Sequence, residues 1–300
     1  HATPSATFAH SPNREWESDA NLSAQAVAAG CRDIASQFLD FARDKTAGDG
    51  IDVAFGGGRA KFLTNDKIDP EYADKTGERK DGRDLIMSWQ QRYPEGQWLW
   101  NRKQFIALDP VKTQRVLGLF EPSHMQYESQ RGDEPSLTEM TEKAVQILQK
   151  NKNGFFLMVE GGRIDHAHHA GNARNALNET IEFARAVARA RELTDAKDTL
   201  IIVTADHGHG FTMAGGYARR GDPVLGLVQT ESEEHEGEAT PALDLNGLPY
   251  TLLNYVNGPG FGKLNDKPRT TIARVDLRAV DVGAWDYRQV ALIPFGSETH

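Results

Sequence analysis

Two short apolar runs, each followed at once by acidic or histidine side chains, constrain the fold of this chain more than any other feature. The first run covers residues 155–159 and precedes Glu160, and the second covers residues 199–204 and precedes Asp206 and His207. Runs of this length and composition predict buried β-strands. Because α/β sheets bind ligands beyond the carboxyl ends of their strands, we expect these polar side chains to line a site.

A third group of polar residues follows Glu160 at the start of a helical pattern. Asp165 and His169 are four residues apart, so both side chains lie on one face of a helix. His166, His168 and His169 cannot all face one ion, so at least one of them must lie outside its coordination shell. Carboxylate and imidazole together are the ligand set of catalytic zinc, which keeps one coordination position open. The residues therefore predict a zinc hydrolase.

Each of these motifs also has an ordinary structural interpretation. Histidines near the start of a helix can be merely solvated, and Asp206-His207-Gly208 has the composition of a strand-to-loop turn. Two carboxylate–imidazole groups, each close behind an apolar run, are not explained by solubility alone. The coincidence favours a metal centre over two unrelated turns.

Composition and charge exclude some classes of partner. The 34 basic and 43 acidic residues give a formal net charge of −9, and no basic stripe interrupts the sequence. This balance argues against binding to nucleic acid or to an acidic membrane. It does not argue against a phosphate ester, because bound metal ions dominate the local charge of a site. A chain of 300 residues that is 39% hydrophobic can bury a substantial core in one α/β domain with insertions.

Local patterns predict several elements and one irregular region. The predicted elements are a helix over 20–43, a strand over 51–55, a helix from the capping box Ser136–Glu139 to about Lys150, and a long helix over 169–193. Between about 215 and 295 the periodicity breaks down, which predicts a partly ordered insertion.

Several segments together resemble the alkaline phosphatase family. They are His1-Ala-Thr-Pro-Ser5, Ala9-His-Ser-Pro-Asn-Arg14, residues 51–59, 118–122, 159–166, 204–209 and 257–261, and Ser297-Glu-Thr-His300. The animal-type branch is closer than the enterobacterial branch, which has aspartate where His1 stands. The resemblance implies a three-layer α/β sandwich with a central, mostly parallel sheet. Residues 1–300 would then form a single domain, with residues of about 215–295 forming a crown-like insertion.

The resemblance also implies roles for individual residues. Asp165, His169 and His300 resemble the ligands of a first zinc, and Asp206 and His207 those of a second. Thr3 and Glu160 resemble magnesium ligands, with His1 and His166 in the outer shell. Arg14 resembles the arginine that clamps phosphate, a role suited to a planar guanidinium. Glu71, Phe120, Glu121 and Glu134 resemble a calcium site, where oxygen ligands suit a hard cation.

The family's reaction is hydrolysis of phosphate monoesters through a phosphoserine intermediate. The nucleophilic serine of the family lies in an Asp-Ser-Ala setting that these 300 residues do not contain. We therefore interpret the chain as an internal piece of a longer phosphatase, inactive by itself and truncated at both ends. The single cysteine, Cys31, resembles one that pairs with an upstream cysteine in animal-type members, although a buried free thiol is an equal alternative.

The resemblance further implies a homodimer located outside the cytoplasm, and it says nothing about a membrane anchor. Two other functions stay open. A phosphodiesterase or a sulfatase with the same metal motifs would share the Asp-His pattern, and a catalytically inert metal-binding piece would share it too. Arg14, Thr3 and the crown-like insertion favour the monoesterase.

Overall fold

The computed structural model describes most of the chain, in two compact units. The described residues are 13–41, 49–214, 224–231, 239–244, 247–258, 277–289 and 291–293. The first unit takes in residues 1–162 and 182–200, and the second takes in 163–181 and 201–300.

The described residues contain seven α-helices and eight strands. The helices are α1 (Ala24–Ala28), α2 (Ile34–Asp40), α3 (Leu85–Arg92), α4 (Arg102–Ala107), α5 (Leu137–Leu148), α6 (Arg163–His169) and α7 (Ala173–Leu193). The strands are β1 (Val53–Gly56), β2 (Gln97–Leu99), β3 (Val116–Leu119), β4 (Phe211–Met213), β5 (Gln229–Glu231), β6 (Ala239–Pro241), β7 (Leu253–Asn257) and β8 (Ala291–Ile293).

A three-stranded parallel sheet forms the centre of the first unit. β3 lies between β1 and β2, and Val116 is in register with Val53 on one side and Gln97 on the other. Alternate side chains of β3 enter two different cores, as the two-residue period of a strand requires. Leu117 and Leu119 pack with α2 and α3, whereas Val116 packs with α4 and α5. The helix–sheet–helix layering confirms the predicted α/β class.

The capping box at the start of α5 is confirmed. Ser136 Oγ accepts a hydrogen bond from the Glu139 amide over 3.1 Å, and the Glu139 carboxylate accepts one from the Ser136 amide over 2.8 Å. Two amides that the helix cannot satisfy internally are thus satisfied by side chains. The helix ends at Leu148, close to the predicted end at Lys150.

The helix predicted over 20–43 is interrupted, and the helix predicted over 169–193 begins later than expected. The described part of this first segment, residues 20–41, forms α1 and α2, because Gly30 has a left-handed φ of 80° and Asp33 begins a new helix by capping it. The predicted helix over 169–193 is confirmed as α7 from Ala173 onward, because the chain turns between the end of α6 at His169 and that residue. Gly171 has a φ of 65°, and Asn172 caps α7 by accepting a hydrogen bond from the amide of Asn175.

The two predicted buried strands are wrong. Residues 155–159 and 199–204 pair with none of the described strands, and their side chains are largely exposed, with Phe156 and Leu200 each 82% accessible. An apolar sequence supplies only the tendency to form a strand, since the backbone hydrogen bonds must come from a neighbouring strand. In the described part of the chain neither run has such a neighbour.

The second unit contains two small sheets. β7 pairs antiparallel with β4 and parallel with β8, and Phe211 is in register with Tyr255. β5 and β6 form a separate antiparallel pair. Of the predicted insertion at 215–295, the structure describes the segments that carry β5 to β8.

No helix in the described part of the chain combines the length and apolar character that crossing a bilayer requires.

Candidate metal centre

The helix α6 presents two of the predicted zinc ligands on one face. Asp165 Oδ1 and His169 Nε2 are 3.3 Å apart, as expected for residues separated by one helical turn. Both side chains are partly buried, and neither is withdrawn from solvent altogether. The sequence-based placement of this pair is therefore reproduced by the structure.

Two further histidines approach the same carboxylate from the segment before β4. His209 Nε2 donates a hydrogen bond to Asp165 Oδ1 over 2.8 Å, and His207 Nε2 lies 3.7 Å from the same oxygen. We call Asp165, His169, His207 and His209 the Asp165 cluster. Within the described residues, Asp165, His207 and His209 are a group of three whose possible ligand atoms all lie within 4.8 Å of one another.

The segment that carries these histidines is tied to the strand β7. The Val256 amide donates a hydrogen bond to the Gly210 carbonyl over 2.6 Å. A Cβ atom at Gly210 would lie 3.0 Å from Cβ of Val256, so a side chain at this position would push the two segments apart. The close approach at Gly210 therefore fixes the chain directly after His209.

The neighbouring histidines also set the protonation of Asp165. Partial burial alone would raise the pKa of this carboxyl. The hydrogen bond from His209 and the nearby imidazoles outweigh burial, and the pKa of Asp165 lies below its ordinary value. Asp165 is thus held as a carboxylate, the form that binds a cation.

The separation of Asp165 Oδ1 from each of His169 and His207 is close to that of neighbouring zinc ligands. Tetrahedral zinc with ligand bonds of about 2.1 Å holds neighbouring ligand atoms about 3.4 Å apart. The distances from Asp165 Oδ1 to His169 and His207 are 3.3 and 3.7 Å. His209 has a different relation to the carboxylate, because the ring nitrogen that donates to Asp165 has no lone pair for a metal. In this arrangement His209 orients Asp165.

Sequence reasoning gave no role to His209, although the signal was present. His207 and His209 are two residues apart, and in an extended segment such residues point the same way.

His168 and His166 point to other partners. His168 Nδ1 is hydrogen-bonded to the Tyr255 hydroxyl over 2.8 Å, and its ring stacks on His209 with centroids 4.8 Å apart. Burial and the neighbouring His209 lower the pKa of His168 to about 4, so this ring is neutral at ordinary pH. His166 Nδ1 accepts a hydrogen bond from Arg163 over 2.8 Å.

Three of the remaining predicted zinc, magnesium and phosphate residues are described, and all three are exposed. The Asp206 side chain is 91% exposed, and its nearest carboxylate oxygen lies 3.7 Å from His207 Nε2. Glu160 is exposed, and Arg14 is exposed with an ion pair to Glu15 at 3.3 Å. His1, Thr3 and His300 lie outside the described residues. The roles given to these residues stay predictions.

The predicted calcium ligands lie in the first unit, in a second acidic group. Glu121 accepts hydrogen bonds from the Tyr72 hydroxyl over 2.8 Å and from the Gln126 side chain over 3.2 Å. Glu134 accepts one from the Gln126 amide over 2.9 Å. The ring of Phe120 packs in the core, so its carbonyl belongs to a rigid segment.

Glu71 is held by a buried arginine. Arg59 donates to Glu71 Oε2 over 2.8 Å, and the same guanidinium forms two hydrogen bonds to Asp69. Arg59 also donates to the Leu119 carbonyl over 2.8 Å, directly before Phe120. The residue thus fixes the position of Glu71 relative to the end of β3.

The buried carboxyl of Glu134 is suited to binding a cation. It is only 3% exposed, and its buried Oε1 atom has no hydrogen-bond partner among the residues that the structure describes. Burial, followed by the proximity of Glu121, raises the pKa of Glu134 to about 8. Two buried carboxyls at close range require either a shared proton or a cation. The oxygen donors of this group suit a hard cation such as Ca²⁺.

Comparison with known proteins decides the family. The model of the alkaline phosphatase family matches residues 1–300. The chain belongs to the alkaline phosphatase family. It is 42% identical to the alkaline phosphatase of Gadus morhua and 42% identical to the tissue-nonspecific alkaline phosphatase isozyme of Homo sapiens. Both alignments cover 100% of this chain but only 59% and 54% of those relatives, so the chain spans little more than half their length.

Solved alkaline phosphatases also resemble the chain in part. The enzyme from the Antarctic bacterium TAB5 aligns with a TM-score of 0.47 and 26% identity, over 74% of this chain and 57% of its own. The cold-active enzyme from Shewanella sp. aligns with a TM-score of 0.43 and 25% identity, over 64% of this chain and 37% of its own. The family assignment rests on the sequence matches.

Proposed function

We propose that the protein is a metal-dependent phosphomonoesterase whose zinc ions bind at the Asp165 cluster. The observation that carries the proposal is the convergence of three imidazoles on one carboxylate oxygen, at 2.8, 3.3 and 3.7 Å. Membership of the alkaline phosphatase family supports the same reaction class.

The family resemblance divides the expected ligands between two zinc ions. Asp165 and His169, with His300, would hold the first zinc, and His207 with Asp206 would hold the second. Zinc bound there supplies positive charge and Lewis acidity, which stabilise the charge that develops during phosphoryl transfer. Because the chain carries a net charge of −9, it gives a phosphate ester no general attraction, and the local charge at the centre has to provide it.

The protein's own side chains bind and orient. His209 fixes the rotation of the Asp165 carboxylate through its hydrogen bond, so that one oxygen keeps a constant direction. Arg14 would pair with two phosphate oxygens, for which a guanidinium has the matching geometry. The exposure of Arg14 leaves its guanidinium accessible for this role.

The proposal includes a phosphoserine intermediate formed on a serine that is not among these residues. No Asp-Ser-Ala sequence occurs in the chain, so we expect the 300 residues made alone not to turn over phosphate esters. An aryl phosphate assay on these residues, beside a polypeptide extended at both ends, tests this. Equal activity in the two preparations would mean that the nucleophile lies within the present chain.

Further cation sites complete the proposal. Glu160 and Thr3 would bind magnesium, and His1 and His166 would lie in the outer coordination shell, as the family resemblance implies. Glu71, Glu121, Glu134 and the Phe120 carbonyl would bind calcium, supported by the buried unpaired oxygen of Glu134.

The substrate class is tested with three aryl esters of the same leaving group. The full-length protein is stripped of metal, reloaded with zinc and magnesium, and assayed on a phosphate monoester, a phosphate diester and a sulfate ester. We expect metal-dependent hydrolysis with the monoester strongly preferred. Preference for the diester or the sulfate would instead support one of the two related metalloenzymes, and hydrolysis of none would support an inert metal-binding protein.

A homodimer outside the cytoplasm is also part of the proposal and rests on the family resemblance alone. Light scattering on the full-length protein tests the dimer, and fractionation of the native cells tests the location. A monomer, or recovery with the cytoplasmic fraction, would contradict these two points.

A further inference from the structure

Tyr255 is a buried tyrosine whose hydroxyl reaches a histidine of α6. The residue is 2% exposed and lies within β7, at the centre of the three-stranded sheet of the second unit. Its hydroxyl is 2.8 Å from Nδ1 of His168. A buried phenol needs such a partner, because an unpaired hydroxyl loses its hydrogen bonds with water.

His168 in turn packs against the histidine that orients Asp165. The rings of His168 and His209 stack with an interplanar angle of 26° and centroids 4.8 Å apart. His168 also contacts Phe211, whose ring centroid is 5.1 Å away and which is in register with Tyr255. The ring of His168 is therefore packed against both an aromatic side chain of β4 and the imidazole of His209.

Stacking alone does not determine how the His168 ring is rotated. An imidazole can turn about its ring torsion into two orientations that exchange nitrogen and carbon positions. The hydrogen bond between Nδ1 and the Tyr255 hydroxyl selects one of them and restrains the ring there. His209 stacks on this restrained ring and meets Asp165 Oδ1 at 2.8 Å.

We propose that Tyr255 is a positioning residue for the metal centre, acting through His168 and His209 on the carboxylate of Asp165. This inference rests on the proposed function, since it assigns a role toward the metals expected there. Tyr255 contacts neither metal nor substrate in this role. Its hydroxyl restricts the side-chain motion of His168 and His209. Without this restriction, the Asp165 carboxylate would be less well oriented for the metal.

The test uses Co²⁺ as a spectroscopic substitute for zinc in the full-length protein. Tyr255→Phe removes one hydroxyl and keeps the ring, so the sheet contacts with Phe211 persist. We expect Co²⁺ to bind a few-fold more weakly, because Tyr255 acts through two intervening histidines and a direct partner of a metal ligand typically accounts for about 10- to 100-fold. We also expect the visible absorption bands of bound Co²⁺ to change, because they report ligand geometry. Tyr250→Phe, the same change at a half-buried tyrosine of the same unit, should alter neither property.

A second variant separates positioning from general destabilisation. His168→Phe keeps an aromatic ring against His209 and removes the hydrogen bond to Tyr255. If Tyr255 acts only through His168, the double variant should bind Co²⁺ no more weakly than whichever single variant binds it less tightly. Losses that multiply in the double variant would overturn the inference. Should Tyr255→Phe fail to fold, as judged by circular dichroism, weakened binding in His168→Phe supports it and unchanged binding overturns it.

Failure of the inference differs from failure of the proposed function. Wild-type affinity and an unchanged spectrum in Tyr255→Phe would overturn the role of Tyr255 while leaving the metal centre intact. If the wild-type protein bound no Co²⁺, the proposed function and the inference would both fall.

Discussion

His209 Nε2 and Asp165 Oδ1 are joined by a 2.8 Å hydrogen bond, which connects the segment before β4 to the helix α6. The bond gives the carboxylate one fixed orientation before any metal binds. It also lowers the pKa of Asp165, so the carboxylate does not depend on a metal to lose its proton.

Replacing His209 should therefore weaken metal binding without removing a metal ligand. In the full-length protein we expect His209→Ala to bind zinc roughly 10- to 100-fold more weakly, the usual effect of losing a partner behind a ligand. His209→Asn keeps an N–H donor and should recover part of the affinity. Competition with a zinc chelator measures both. Equal affinity in His209→Ala and wild type would show that Asp165 needs no orienting partner.

His169 and His207 should each be required for one zinc ion. We expect His169→Ala and His207→Ala to lower the zinc content of the full-length protein by about one ion per chain, because a four-coordinate site tolerates few lost ligands. Elemental analysis gives the stoichiometry. His124→Ala, the same substitution in the first unit, should leave the content unchanged. Wild-type zinc in both cluster variants would contradict the ligand assignment.

Arg14 should affect phosphate and not zinc. A charge-assisted bidentate contact contributes about 1.5–3 kcal/mol, so Arg14→Ala should weaken inhibition by inorganic phosphate roughly 10- to 100-fold. Arg14→Lys should restore only part, because an ammonium group cannot pair with two oxygens in a fixed plane. Arg191→Ala, at another exposed arginine, serves as the control. If inorganic phosphate inhibited Arg14→Ala as strongly as wild type, Arg14 would be an ordinary solvated surface residue with no role in phosphate binding.

The acidic group around Glu134 should make stability depend on pH when calcium is absent. The pKa of Glu134 is raised to about 8 in the folded protein, from an ordinary value of 4.5. A carboxyl raised in this way contributes stability that is complete below its unfolded pKa and is lost as pH rises through the folded pKa. We therefore expect the calcium-free, full-length protein to lose stability between about pH 5 and pH 9.

Calcium should remove that loss, because it neutralises Glu121 and Glu134 without a proton and stabilises the folded state by mass action. Thermal unfolding across this pH range, with and without calcium, provides the measurement. Glu134→Gln should reduce the pH dependence and abolish the calcium effect. A calcium-free protein whose stability is constant over this range would contradict the site.

What the sequence predicted well depends on short-range contacts. The capping box of Ser136 and Glu139 and the pairing of Asp165 with His169 each involve residues within one helical turn, and local geometry decides both. The break at Gly30 had local signals too, since Asp33 is a good N-cap residue, but the continuing alanine pattern concealed it.

What the sequence did not predict depends on partners distant in the chain. Residues 155–159 and 199–204 have the composition of buried strands, yet the described strands do not pair with them. The role of His209 likewise requires knowing that the segment before β4 approaches α6. Contacts such as His168 with Tyr255 join residues far apart in sequence, and no local pattern encodes them.

The most direct test of the account is the zinc dependence of aryl phosphate hydrolysis by Asp165→Ala in the full-length protein. Asp165 Oδ1 lies within 3.7 Å of three imidazoles, so its loss should affect the whole cluster. We predict that zinc content falls and that turnover drops at least about a hundredfold, whereas Asp198→Ala at an exposed aspartate changes neither. Wild-type zinc content and turnover in Asp165→Ala would contradict the assignment of the catalytic centre to this cluster.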